Sequence, residues 1–273
     1  MKGEGNMDNW AFPQPPWDMH MPHAAELVST VSLATVAAGF LIASLVYWVR
    51  KRDPLFTVAI LGGLLACVNE PFTNVVGMCF HPLDGITIVT SFDRAIPLWA
   101  VMCYPIYFGG LMCLMLLWLR KGVTRNQFWR VIGIIMIGNG AFEFPILAGG
   151  VYVYYGDQPY QFLGMQPTFF VINALGAVLG AIAIALLETQ VRGVRKWLAV
   201  LIAPGVCQLA AYGVAFPHIY TLNTNFSLAV KYVGSTITIL LGLYVLDQLS
   251  RFAERRWPSA RTAQQPTLVT NKV

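Results

Sequence analysis

Two carboxylic acids stand where hydrocarbon is expected: Glu70, in Asn69-Glu70-Pro71-Phe72-Thr73-Asn74, and Glu143, in Asn139-Gly140-Ala141-Phe142-Glu143-Phe144-Pro145. Each lies inside a run of apolar residues long enough to cross a bilayer. An ionisable side chain at the centre of a spanning helix costs about 2.5–3.5 kcal/mol on insertion scales, so it needs a partner, a cavity or a task. Burial among hydrocarbon penalises a carboxylate, and a carboxylic acid kept neutral is a proton donor. Such a donor can protonate an alkene, epoxide or hydroxyl of a lipophilic molecule, provided water is kept from the cation that follows.

The neighbours of the two acids repeat a pattern. Asn74 follows Glu70 by one helical turn and Asn139 precedes Glu143 by one, so each acid shares a helix face with an amide. Pro71 and Pro145 each remove a backbone donor and leave a carbonyl that lipid cannot satisfy but a polar cavity can. Asn173 and Gln208 are further amides inside apolar runs. With Asn69, Asn74, Asn139 and Tyr155 they are expected to line one pocket and to orient substrate or water. Aromatic faces to stabilise positive charge are available on the same segments in Phe72, Trp99, Tyr104, Tyr107, Phe142, Phe144 and Tyr212. The matched spacing from Glu70 to Asp84 and from Glu143 to Asp157 raises the alternative that two helix-and-loop units are distant copies.

The elements that position these groups follow from composition. The chain has 273 residues, 56% hydrophobic and 11% charged, against roughly 45–50% apolar and about 25% charged in soluble domains. This excludes a soluble enzyme, a disordered chain and a nucleic-acid binder. Seven apolar runs, at about 25–49, 54–80, 95–119, 131–155, 166–187, 197–219 and 227–248, each match a hydrocarbon core of roughly 30 Å. The expected fold is all-α, a polytopic seven-transmembrane helical bundle. The domains are a polar segment at 1–24, the membrane domain at 25–248 and a basic tail at 249–273.

Fifteen of the 18 basic residues fall in the linkers after spans one, three and five and in the tail. The positive-inside rule then places the N-terminus outside and the C-terminus in the cytoplasm, at the cell membrane. The opening segment lacks the basic start and short apolar core of a cleavable signal peptide. Glu188 and Asp247 read as solvated partners of Arg192 and Arg251, and Asp93 as a cap on the third span.

The five cysteines fall within the expected spans without CxxC spacing and read as buried thiols. Gly176-x-x-x-Gly180 reads as a helix-packing stripe. His20, His23, His81 and His218 all fall toward the outer side. His20-x-x-His23 lies in a Pro-rich segment, and with no HExxH, DDxxD-like run or Gly-rich phosphate loop the expectation is no metal and no cofactor.

The arrangement resembles the small integral-membrane terpene cyclases of the fungal meroterpenoid and bacterial drimentine types, seven-helix chains with an acid on the second span. The matching stretch here is Asn69-Glu70-Pro71-Phe72. The resemblance implies Glu70 as general acid. The fungal pattern has a second acid late in the chain, whereas Asp247 falls at the cytoplasmic end, so Glu143 takes the place of second acid or base. The chain also looks similar to avermectin-pathway spirocyclase-like membrane proteins, which would make the substrate a polyketide. The expected function is metal-free cyclisation of an isoprenoid-containing precursor supplied by an upstream prenyltransferase or epoxidase, the alternatives being spirocyclisation or a carrier for a lipophilic solute. A microbial rhodopsin is disfavoured because Lys231 lies too near the end of span seven, and a G-protein-coupled receptor because span three ends in Leu117-Trp118-Leu119-Arg120.

Overall fold

The computed structural model describes residues 12–259. Seven helices are long and apolar enough to cross a membrane: α1 (His23–Lys51), α2 (Leu55–Val76), α3 (Leu98–Lys121), α4 (Arg125–Ala148), α5 (Pro167–Gln190), α6 (Gly193–Val214) and α8 (Leu228–Arg256). A short helix, α7 (Phe216–Leu222), sits between α6 and α8. α5 and α3 are the most enclosed, and between them pack Val171, Leu175, Val178, Met112, Met115 and Leu116. α1, α4 and α8 turn Val31, Ile42, Ile134, Ile137, Leu240 and Tyr244 outward, a surface suited to hydrocarbon rather than water.

Glycines set how closely the central helices approach. A Cβ on Gly62 would meet the Val200 carbonyl oxygen at 2.6 Å, which presses α2 against α6. One on Gly63 would meet the Gly109 nitrogen at 2.9 Å, which presses α2 against α3. In the Gly176/Gly180 stripe, added Cβ atoms would meet Phe108 at 2.6 Å and run into the Met112 sulfur, so these small residues do admit a neighbouring helix.

Several helix limits differ from the expectation. α4 starts at Arg125 because a polar first turn is capped: Thr124 Oγ1 accepts from the Gln127 N–H, while Gln127 Oε1 accepts from the Thr124 N–H at 2.9 Å. It stops at Ala148, before Gly149 and Gly150, the latter at φ +71°. α2 ends at Val76 and α6 at Val214, each short of its apolar run. α8 continues to Arg256, past the expected start of the tail, supported by the Arg251–Asp247 pair one turn apart at 2.9 Å.

The chain that falls outside these helices builds a layer over one end of the bundle. Strands β1 (Cys79–Phe80) and β4 (Val153–Tyr154) pair antiparallel, with Cys79 opposite Tyr154. Strands β2 (Thr87–Ser91) and β3 (Arg94–Pro97) form a hairpin. Its tip is Phe92-Asp93, both at positive φ (53° and 54°), the backbone of a two-residue hairpin turn. Asp93 is therefore a turn residue and not a helix cap, and Cys79 is a strand residue and not part of a span.

The N-terminal segment is laid across this layer. Trp17 meets Phe80 edge-on at 5.4 Å, and the Arg94 guanidinium stands 5.2 Å over the Trp17 ring. The Met21 N–H donates to Asp84 Oδ1 at 2.8 Å, and His20 contacts Asp84 Oδ2 at 2.9 Å.

Ion pairs close the other end. Arg120 binds Glu188 at 2.5 Å and Lys196 binds Asp53 at 2.9 Å. Asp247 takes both Arg125 and Arg251. The partner of Glu188 is thus Arg120, across the bundle, rather than the adjacent Arg192.

Candidate functional site

Three of the helices depart from regular α geometry partway along their length. α2 tightens to a 3-10 turn over Ala66–Asn69, immediately before Glu70 and Pro71. α3 loosens to a π turn over Ile106–Leu111, immediately after Pro105. α6 contains a second π turn over Leu209–Val214. Proline accounts for two of these, since it lacks the N–H that regular pitch requires. Such irregular turns re-aim side chains and concentrate at functional sites.

Between them lies a cavity with about 830 Å³ of atom-free space, the open solvent at its mouth included. Glu70 and Glu143 both line it. Its aromatic wall is Trp99, Tyr104, Tyr107 and Phe108 from α3, Phe169 from α5, and Tyr152 and Tyr154 from the segment after α4. Thr73, Asn74, His81 and Asn173 add polar groups, and Cys79, Cys103 and Cys207 add thiols.

Each carboxyl carries a tyrosine. Tyr104 Oη donates to Glu70 Oε2 at 2.5 Å, and Tyr152 Oη donates to Glu143 Oε2. The Glu70 centre also has an imidazole. His81 Nε2 lies 3.7 Å from Glu70 Oε1, and its Nδ1 is 3.0 Å from Asn74 Nδ2. With the Asn74 amide donating to Nδ1, the proton of neutral His81 sits on Nε2, on the side of Glu70. Burial pushes the His81 imidazole below its ordinary value, against the opposing pull of Glu70, so the neutral form is the one that faces the cavity. Trp99 meets His81 edge-on at 5.3 Å and stacks on Tyr152 at 5.4 Å. Its buried indole N–H has no hydrogen-bond partner among the described residues.

Of the residues singled out from the sequence, the cavity brings together Glu70, Asn74, Trp99, Tyr104, Tyr107, Glu143 and Asn173. Asn139 stands one layer behind, where its Oδ1 accepts from Asn173 Nδ2 at 2.7 Å and so fixes the amide that does face inward. The others are placed elsewhere. Asn69 ties α2 to α6 by donating to the Pro204 carbonyl at 3.2 Å. Tyr155 belongs to the layer above, its hydroxyl accepting from Arg94 at 3.0 Å. Phe72 is 44% exposed and touches Phe92 and Tyr212. Phe142 packs edge-on against Tyr107 at 6.2 Å, and Gln208 is half-buried beside Cys207 without lining the cavity.

The reasons are angular. A step of one or two residues along a helix turns a side chain about 100° or 200°, which takes Phe72, Phe142 and Gln208 off the face that Glu70, Glu143 and Cys207 present. The sequence reading missed His81 and the role of Tyr152, because both lie beyond the helix ends and return to the cavity only through the β1–β4 pairing. The one available signal was that His81 and Tyr152 each closely follow a helix that bears a buried acid.

The assembled groups can donate a proton from a carboxyl, stabilise a cation on aromatic faces, and accept a proton at a second carboxyl in the same enclosure. No family model, no curated protein and no solved structure matches this chain.

Proposed function

We propose that the chain is a membrane-embedded acid–base cyclase of the cell membrane that protonates a lipophilic, isoprenoid-containing precursor. The observation that carries this reading is the convergence of Glu70 and Glu143 on one aromatic-walled cavity, each hydrogen-bonded to a tyrosine. Glu70 gives its proton to an epoxide oxygen or an alkene carbon of the substrate. The C–O or π bond opens, and a neighbouring alkene supplies the electron pair that closes the ring. The resulting cation lies against Trp99, Tyr107 and Phe108 until Glu143, as carboxylate, removes a proton from an adjacent carbon. Substrate and product are isomers, and the proton gained by Glu143 returns to Glu70 before the next cycle. The reaction draws its proton from a side chain and asks for no metal or nucleotide.

The polar part of the lining favours a second reading. Asn74, Asn173, His81 and the Trp99 N–H, which has no partner among the described residues, suit an oxygen-rich substrate as well, such as a dihydroxyketone of polyketide origin that closes to a spiroketal with loss of one water. The concentration of Arg and Lys at the ion-paired end supports an orientation with that end in the cytoplasm and the strand layer outside.

The test is to incubate membranes containing the protein with an epoxidised prenyl lipid and with a long-chain dihydroxyketone. The cyclase reading expects an isomer of unchanged mass from the first, lost in Glu70→Gln and in Glu143→Gln. Loss of one water from the second would select spirocyclisation. Uptake of either compound into vesicles with its structure intact, and wild-type conversion by both glutamine variants, would each overturn the acid–base mechanism.

A further inference from the structure

α2 and α6 run in close backbone contact from Leu55 to Asn69, the half nearer the ion-paired end. Beyond Asn69 the two backbones part, and Glu70–Val76 packs against strands β1 and β3 instead. Side-chain bonds to backbone frame the gap at both ends. Asn69 donates to the Pro204 carbonyl at 3.2 Å, and Asn223, just past α7, donates to the Val76 carbonyl at 2.6 Å. The seven-residue step from Asn69 to Val76 makes this window about 10 Å tall.

One ring fills it. Thr73 belongs to the cavity wall, and its Oγ1 lies 2.7 Å from Tyr212 Oη. Thr73 gives its own proton to the Asn69 carbonyl at 3.0 Å, so Tyr212 is the donor in that pair. The Tyr212 ring also packs on Phe72 at 5.0 Å. Phe72 is substantially exposed and is no part of the cavity wall, so its exposed surface is the outer one. Thr73 and Phe72 are chain neighbours, and the barrier between inside and outside is here little more than the tyrosine between them. Tyr212 itself stands in the π turn of α6, off regular helical pitch.

The outer rim suits hydrocarbon. Val68, one turn before Phe72 on α2, and Leu209, one turn before Tyr212 on α6, are both exposed. Phe92, at the tip of the β2–β3 hairpin, is exposed as well and lies 6.3 Å from Phe72. Asp93 beside it is exposed and negative, which disfavours an anionic visitor.

We propose that this window is the port by which an uncharged lipophile dissolved in the bilayer reaches the cavity, with the Tyr212 ring as its door and the Tyr212–Thr73 hydrogen bond as its latch. Opening asks for one side-chain rotation and the loss of one hydrogen bond, while the Asn69 and Asn223 bonds hold the frame. The inference deepens the cyclase reading by giving its substrate a route, and it rests on that reading only in taking the ligand to be a lipophile.

The test uses the full chain in lipid nanodiscs and two thiol reagents, N-cyclohexylmaleimide, which dissolves in the bilayer, and a sulfonated maleimide, which stays in water. Peptide mass spectrometry reads the rate of modification at Cys103 and Cys207, both in the cavity wall, and at Cys113, buried outside it. Tyr212→Phe keeps the ring and removes the latch, and is expected to raise the cyclohexyl rate at Cys103 and Cys207 by about five-fold, the effect of one hydrogen bond on an opening equilibrium. Tyr212→Ala is expected to raise it further, with Cys113 and the sulfonated reagent unaffected. Unchanged rates in both variants overturn the port. So does a rise shared by Cys113, which would mean a loosened bundle, or one equally large with the sulfonated reagent, which would mean a route from water. Should Tyr212→Ala fail to fold, Thr73→Val removes the latch from the other side, and a wild-type rate in that variant overturns the proposal. Labelling involves no turnover: a port found in a chain that converts neither precursor overturns the cyclase reading alone, and unchanged labelling in a chain that does convert one overturns the port alone.

Discussion

The Tyr104 hydroxyl donates to Glu70 at 2.5 Å, from a helix that turns irregular just beyond the tyrosine. The bond spans α2 and α3 and determines which lone pairs of the acid remain for a ligand. Tyr104→Phe removes the donor while leaving the ring and its stacking on Phe108. If the chain is the proposed cyclase, turnover is expected to fall by about ten-fold or more, with stability lowered by roughly 1–2 kcal/mol. Product formation together with thermal unfolding checks both, and full turnover in the variant would remove Tyr104 from the mechanism.

His81 supplies a pH dependence. Its folded-state value lies below the ordinary 6.5, so above that pH neither the folded nor the unfolded chain binds a proton there. As pH falls through 6.5 the unfolded chain takes up a proton that the folded chain resists, and stability declines. Denaturation between pH 7 and 5 is expected to show this slope in the wild type and a flatter one in His81→Gln. Equal slopes would mean that the imidazole is not held neutral.

At the strand end, the Met21 N–H and His20 hold the Asp84 carboxyl below its ordinary 3.8. The stabilisation is present above 3.8 and is lost as pH falls further, through the folded-state value. Asp84→Asn is expected to show at neutral pH what the wild type shows only in strong acid: faster hydrogen exchange at the Met21 amide. Unchanged exchange in the variant would detach Asp84 from the anchoring of the N-terminal segment.

Two glycines make a matched pair for stability. At Gly62 a methyl would run into the Val200 backbone, whereas at Gly133 it would meet nothing within 4 Å. Gly62→Ala is expected to destabilise by about 1–3 kcal/mol through overpacking. Gly133→Ala is expected to be neutral or to stabilise by up to about 1 kcal/mol, through helix propensity. Unfolding in mild detergent ranks them, and the opposite order would contradict the α2–α6 contact.

Much of the architecture was legible because apolar runs have one physical reading at this length, and because an acid in such a run is conspicuous. Glu70 and Glu143 stood out for that reason, and so did Asn173. The helix ends were less legible. Hydropathy alone does not see the Thr124–Gln127 cap that starts α4 or the glycine pair that stops it. The irregular turns were hidden for a related cause: a π turn has the composition of an α turn, so nothing in Ile106–Leu111 announces one. His81 was read only as an outer-side loop histidine, since its place beside Glu70 depends on the pairing of two-residue strands far apart in the chain.

The π turn over Ile106–Leu111 also has an implication for how the chain tolerates change in length. A π turn accommodates one residue more than an α turn of the same rise, so α3 carries a surplus residue between Leu98 and Lys121. Removing one residue within Ile106–Leu111 would let the helix relax to regular pitch with both its ends still anchored, shifting Tyr107 and Phe108 relative to Tyr104 and Met112. Shortening by a single position would thus leave a foldable bundle whose central chamber has lost its facing, a way to separate assembly of the scaffold from whatever it transforms.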